Sequence, residues 1–159
     1  MTLAHAFNQN NHGTADGDPS LLWKQRRVAV ISEMIHTASL VHDDVLDKAD
    51  TRRGKAAVNA VFTAKKATFA GDYIIAVASK LIAEIRNEEV VIAVSQILAD
   101  LVRGEFQQLQ VKKAESERFQ LYLNKTFNKT ASLIAFSCKA NAILSRDHMS
   151  VPSAESEVH

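Results

Sequence analysis

The chain has 159 residues with 19 Lys and Arg against 18 Asp and Glu, a formal net charge of +1, and this near-neutral balance excludes a basic nucleic-acid footprint. Its single cysteine, Cys138, excludes an internal disulfide and is expected to pack as a small hydrophobe. No uncharged apolar run approaches the roughly 18 residues of a membrane span, and with 5 Gly and 2 Pro the composition points to a soluble, intracellular, all-α protein.

In chain order, residues 1–20 read as a polar, glycine-containing tail. A helix is expected from Leu21 to Lys48, with Pro19 and Ser20 as its start signal. Asp50 to Gly54 then turns, and a short helix covers Val58 to Lys65. A longer helix runs from about Ala67 to Arg86, interrupted or begun near Gly71-Asp72, and Asn87 marks a boundary. Val90, Val91, Val94, Ile97, Leu98, Leu101 and Val102 form an apolar stripe at helical spacing that continues to about Val111. The last of five helices spans about Ser116 to Leu144, with Phe119, Tyr122, Leu123, Phe127, Leu133, Ile134 and Phe136 on its apolar face. The end from Ser145 to His159 reads as a frayed polar tail. Residues 21–144 thus form one helical domain without repeats.

The chemistry concentrates at the end of the first helix, where Asp43, Asp44 and Asp47 form a DDxxD cluster and Arg52-Arg53-Gly-Lys55 follows. At 3.6 residues per turn Asp43 and Asp47 stack on one face and Asp44 lies three residues before Asp47, so the three carboxylates are expected to converge. Like charges about 4 Å apart repel by on the order of 1 kcal/mol even in water, and acids at a helix C-terminus oppose its dipole. Mg²⁺ relieves both, since it takes one or two carboxylates together with substrate phosphate oxygens. Arginine presents a donor fork matched to diphosphate oxygens, which makes acids and arginines one complementary set. The competing reading of DDxxD alone is a solvated helix end with exposed ion pairs contributing roughly 0–1 kcal/mol.

The stretch His36-Thr-Ala-Ser-Leu-Val-His-Asp-Asp-Val-Leu-Asp47 with Arg52-Arg-Gly-Lys55 resembles the first aspartate-rich region of the trans-prenyl diphosphate synthases. It is most similar to their long-chain branch, the subunit-1 type of the decaprenyl and solanesyl enzymes. The likeness continues through Ala70-Gly-Asp-Tyr73, Leu101-Val-Arg-Gly-Glu-Phe-Gln-Gln-Leu109 and Lys129-Thr-Ala-Ser-Leu133, and covers Trp23 to Leu144. It implies part of an isoprenoid-synthase helical bundle. It also implies condensation of isopentenyl diphosphate with an allylic diphosphate, for the ubiquinone side chain.

Carried over to this sequence, the resemblance implies that Asp43 and Asp47 ligate Mg²⁺ with Asp44 in support. Arg52 and Arg53 would hold the two diphosphates, Lys129 would add a cation, and Glu105 and Gln108 would face the cluster from another helix. An ordinary half-buried polar pair is the other reading of Glu105 and Gln108. Ala38 and Ser39, small and just below Asp43, resemble the open cavity of long-chain enzymes, and plain helix packing explains them equally well. Allylic ionisation needs a stabilised departing diphosphate and a cavity that keeps water from the cation, so no nucleophilic side chain is required.

Departures from the pattern bear on activity. An upstream Lys/Arg motif and a second aspartate-rich motif are not found, Asp147 stands alone in the tail, and Lys48 replaces a frequent acid. The expectation is a truncated chain with little or no prenyl transfer by itself. A non-catalytic subunit or scaffold in a homo- or hetero-oligomer is the alternative. Glu33-Met-Ile-His36 has the Glu-x-x-His spacing of di-iron bundles, but only one such motif occurs. His36 then reads as a helix-interface residue, and His42 either touches the metal site or lines the helix. The relatives commonly work in mitochondria, whereas residues 1–20 lack arginine and carry Asp16 and Asp18, unlike a transit peptide.

Overall fold

A computed structural model describes residues 18–109 and 115–150. The first helix, α1 (Pro19–Leu46), is the central element. It starts two residues before the expected Leu21 because the Asp18 carboxylate caps it, accepting from the Ser20 backbone N–H at 3.0 Å, and Pro19 sits in its first turn. That hydrogen bond holds the Asp18 carboxyl below the usual range. The helix stops at Leu46, and Lys48 takes a left-handed φ of 50°.

Between α1 and the next helix lies a hairpin rather than a plain turn. Strand β1 (Thr51–Arg52) pairs antiparallel with β2 (Lys55–Ala56), Arg52 opposite Lys55. Its two-residue loop is Arg53-Gly54 with φ values of 51° and 77°, the doubly positive pattern that matches strand twist. The short helix α2 (Val58–Val61) ends earlier than Lys65, because Thr63 caps α3 (Ala64–Glu84) through its hydroxyl and the Lys66 N–H. The expected break at Gly71-Asp72 is not present: α3 runs straight through it.

Asn87 begins α4 (Glu88–Leu109), its side-chain oxygen accepting from the Val90 N–H at 3.0 Å. Val111 lies outside the described residues. The expected single last helix is instead three pieces: α5 (Glu115–Thr126), a π-helical turn (Phe127–Ala131) and α6 (Ser132–Ser150). Residues Ser145 to Ser150 belong to α6 rather than to a frayed tail, and the remainder of the expected tail lies outside the described residues. Ser145 is buried and its hydroxyl accepts from Gln25 Nε2 at 3.1 Å, and Asp147 accepts from Asn87 Nδ2 at 2.7 Å.

The core joins α1, α3, α4 and α6. Val28, Ile31 and Ile35 of α1 meet Ala78 and Ile82 of α3, Val90, Val94 and Ile97 of α4, and Ala140, Ile143 and Leu144 of α6. The α4 stripe is therefore correct except at Val102, which is exposed. The proposed face of the last helix divides: Leu133 and Phe136 pack against the core, while Phe119, Tyr122, Leu123, Phe127 and Ile134 are exposed. The π turn shifts the register between the two halves of that face. Among the described residues no helix is long and apolar enough to cross a membrane.

Asn87 caps α4 and also ties it to α6 through Asp147, so Asn87→Ala is expected to destabilise the fold by roughly 1–2 kcal/mol. Chemical denaturation checks this, with Asp147→Asn expected to lose less because the cap survives.

Candidate functional site

The site forms where the C-terminal end of α1 meets α4 and the π turn. Lys129, at the centre of that turn, places its ammonium Nζ 2.7 Å from Glu105 Oε1 and 3.4 Å from Asp43 Oδ2, and donates to Gln108 Oε1 at 3.1 Å. Four of the residues singled out in the sequence, on three separate elements, thus share one locus. Glu105 and Gln108 lie three apart on α4, which puts both on the face turned to Lys129.

One ammonium serves two carboxylates here, and the protonation behaviour reflects it. Burial pushes the Asp43 carboxyl up and outweighs the attraction of Lys129, while the neighbouring Glu105 charge pushes it the same way. Burial alone would lower Lys129, but the hydrogen bond to Glu105 and the Asp43 charge more than offset it and hold the ammonium protonated to higher pH. The locus is therefore short of positive charge.

Asp44 does not join this group. The three carboxylates were expected to converge, yet Asp44, one residue on, projects about 100° around the helix from Asp43. It is buried and accepts from Arg52: Nε at 3.0 and 2.8 Å to its two oxygens, Nη2 at 2.7 Å to Oδ1. Arg52 Nη2 also donates to the Leu40 carbonyl at 3.4 Å. The hydrogen bonds to Asp44 raise the guanidinium's affinity for its proton further. Asp44 and Arg52, expected in metal support and diphosphate binding, pair with each other and tie the hairpin to α1. Asp47 and Arg53 are exposed on the rim, Asp47 at the helix cap and Arg53 at the hairpin tip. Among the described residues no three acidic, histidine or cysteine side chains group tightly enough to hold a metal unaided.

A cavity of about 610 Å³ opens below the site between α1 and α6. Along α1 it touches Asp43, Ser39, His36, Ser32, Ala29 and Gln25, and along α6 and the π turn Lys129, Leu133, Ser137, Cys138 and Asn141. From Gln25 to Asp43 it follows some 18 residues of helix, about 27 Å at 1.5 Å per residue. A second cavity of about 240 Å³ borders Ser39, His42, Asp43, Leu101, Glu105 and Lys129. Ser39 lines both. Ala38, expected beside it on the cavity wall, is fully buried and borders neither.

His36 lies on the larger cavity between α1 and α6. His42 packs against α3, its Nε2 3.3 Å from Asp72 Oδ1 and 3.2 Å from the Thr68 carbonyl, and Gly71 is needed there because a Cβ would stand 2.3 Å from that nitrogen. Sequence reasoning missed the far end of the cavity: the Ser32–Ser137 hydroxyl pair at 2.7 Å, Gln25 and Asn141. These contacts span 105 residues or more, and only the serines' helical phase hinted at them.

Comparison with known proteins gives the family. The polyprenyl synthetase family model matches residues 2–157. The chain belongs to the polyprenyl synthetase family. It is 58% identical over 144 residues to the mouse (Mus musculus) all trans-polyprenyl-diphosphate synthase PDSS1, covering 91% of this chain and 34% of that protein. It is 49% identical over 131 residues to a probable mitochondrial hexaprenyl pyrophosphate synthase of Yarrowia lipolytica, covering 79% of this chain and 29% of that one. Among solved structures, octaprenyl pyrophosphate synthase from Helicobacter pylori superposes with a TM-score of 0.76 at 31% identity, over 92% of this chain and 48% of that chain. The chain spans about a third of the length of these curated relatives. The polyprenyl synthetase fold is thus present as a helical portion that holds the site and its cavity.

Two outcomes follow. Removing the Arg52 guanidinium leaves the buried Asp44 charge unpaired, so Arg52→Ala is expected to cost roughly 2–3 kcal/mol, below the usual buried-pair figure because Arg52 is a third exposed; Asp44→Asn in the same chain should recover part of it. Asp43 has a raised folded pKa, so its folded state binds more protons than the unfolded chain and its contribution is greatest below 3.8, then is lost as pH rises through the raised value. Stability measured across acidic pH is expected to fall less steeply with rising pH in Asp43→Asn than in the wild type.

Proposed function

We propose that this chain provides the allylic-diphosphate half of a long-chain trans-prenyl diphosphate synthase, condensing isopentenyl diphosphate with an allylic diphosphate toward a ubiquinone side chain. The observation that carries the reading is the meeting of Asp43, Glu105, Gln108 and Lys129 at the mouth of an elongated cavity. A charged rim over a long, narrow, largely apolar groove fits a ligand with a diphosphate head and a hydrocarbon tail.

The residues present fit Mg²⁺. Asp43 is a half-buried carboxylate whose burial disfavours its charge, and Asp47 lies one turn on along the same face. Two carboxylates with phosphate oxygens and water complete the coordination this ion prefers. Bound there, Mg²⁺ would supply positive charge to the departing diphosphate.

This chain's own side chains do the rest. Lys129 donates to diphosphate oxygens, held at the right place by Glu105 and Gln108, and Arg53 on the hairpin tip reaches the outer oxygens. The ionised prenyl cation sits in the cavity, where water is kept away and the isopentenyl double bond attacks. The proton is then lost to the released diphosphate. The cavity hydroxyls are already engaged with helix carbonyls, Ser32 with Val28 and Ser137 with Leu133, so they offer methylene surface to a growing tail rather than unmet polarity. Ser39, small and shared by both cavities, leaves the passage below Asp43 open.

The exposed Phe69, Tyr73, Phe106, Phe119 and Tyr122 favour a second element of the reading: the chain works as one subunit of a homo- or hetero-oligomer of prenyl synthase chains. The Yarrowia relative's mitochondrial name supports mitochondria as its place of work.

Thermal melting with Mg²⁺ and a non-hydrolysable allylic diphosphate analogue tests the reading. Stabilisation of about 2–3 kcal/mol is expected near a hundredfold excess over Kd. It should require both components and vanish in Asp43→Ala/Asp47→Ala. No shift in the folded wild type would count against the reading and favour a non-catalytic subunit.

A further inference from the structure

Gly104 is buried on α4 against the π turn, at the point where the two backbones come closest to the site. A Cβ there would stand 3.1 Å from the Lys129 backbone nitrogen and 3.3 Å from Lys129 Cα and Cβ. That is tighter than an ordinary methyl contact, so a side chain there requires the turn to give by a few tenths of an ångström. Its φ is not in the left-handed region, so the requirement is for space alone.

The turn that Gly104 admits is itself irregular. The Ser132 N–H bonds to the Phe127 carbonyl, an i→i+5 contact that inserts one residue into the helix. One residue shifts the phase by about 100°. Lys129 lies along the cavity with Leu133, Ser137 and Asn141 of α6, residues spaced four apart on one helix face. Asn128 Nδ2 donates to Gln107 Oε1 at 3.1 Å, and the buried Ser132 donates to the Asn128 carbonyl at 3.0 Å, so the turn is pinned on both sides of Lys129. The contacts from 104, 105, 107 and 108 all land on 128 and 129.

We propose that Gly104 is a positioning residue: together with the π turn it sets the place of the Lys129 ammonium between Asp43 and Glu105, and so tunes a group that a diphosphate would meet. Gly104 touches no ligand itself. It acts by permitting the close approach that brings a four-carbon side chain to two carboxylates at once.

The test has an arm that needs no ligand. Native-state acetylation of the whole chain, read by mass spectrometry, compares Lys129 with the exposed Lys80. Lys129 is expected to be several-fold protected in the wild type and to lose most of that protection in Gly104→Ala, whereas an unchanged ratio in a folded variant overturns the proposal. If Gly104→Ala does not fold, Asn128→Ala, which removes the Gln107 bond without adding bulk, is read in the same way and with the same criterion. The second arm rests on the diphosphate reading of the site. Gly104→Ala should weaken Mg²⁺-dependent binding of the allylic analogue about tenfold in the wild type and leave it unchanged in a Lys129→Ala background, since coupled sites are non-additive. Equal losses in both backgrounds overturn it. If the wild type binds no diphosphate, the functional reading fails and the acetylation arm still judges Gly104.

Discussion

The Lys129 ammonium shared between Asp43 and Glu105 is the constraint on which the site depends. Three elements end there: α1 brings Asp43, α4 brings Glu105 and Gln108, and the π turn brings Lys129. Two acids share one base in a half-buried place, and burial first, then the neighbouring Glu105 charge, pushes the Asp43 carboxyl up despite Lys129. On the proposed reading, a metal would satisfy the acids while Lys129 turned to the anion.

Beside it stands a pair with the opposite character. Asp44 and Arg52 meet through three short hydrogen bonds, and Asp44 is buried. That is a closed pair, and its work is mechanical: it fastens the hairpin with Arg53 at its tip over the end of α1. Adjacent aspartates therefore face different partners, Asp43 towards Lys129 and Asp44 towards Arg52, and the division follows from the rotation of one residue along a helix.

The sequence made some of this readable and hid the rest for identifiable reasons. Asp43 above Asp47, the α4 stripe and the Asn87 boundary are local patterns at helical spacing, and each appears as expected. The partnership of Lys129 with Glu105 and Gln108 was legible only through family resemblance, because no spacing rule joins residues 21 to 24 apart on different helices. The pairing of Asp44 with Arg52 was not foreseen, since counting residues treats three neighbouring acids as one cluster, whereas Arg52 lies across a turn. That turn carried no Asn-Gly or Asp-Gly signal; Arg53 adopts positive φ instead. The π turn left no trace either, as a one-residue phase shift looks like imperfect amphipathicity, and Phe119, Tyr122, Leu123 and Phe127 of the expected apolar face are exposed. Ser145 and Asp147 looked like a tail because their partners, Gln25 and Asn87, lie 120 and 60 residues away.

The claim that matters most is that Asp43 and Lys129 together receive a metal–diphosphate head group. Phosphorus NMR of an allylic diphosphate analogue with a trace of Mn²⁺ in place of Mg²⁺ addresses it directly, since a paramagnetic ion broadens the resonances of phosphates it shares a site with. Strong broadening in the presence of the chain, beyond that of metal and ligand alone and abolished by Asp43→Ala or Lys129→Ala, is the predicted result. Spectra identical with and without folded protein would contradict the account.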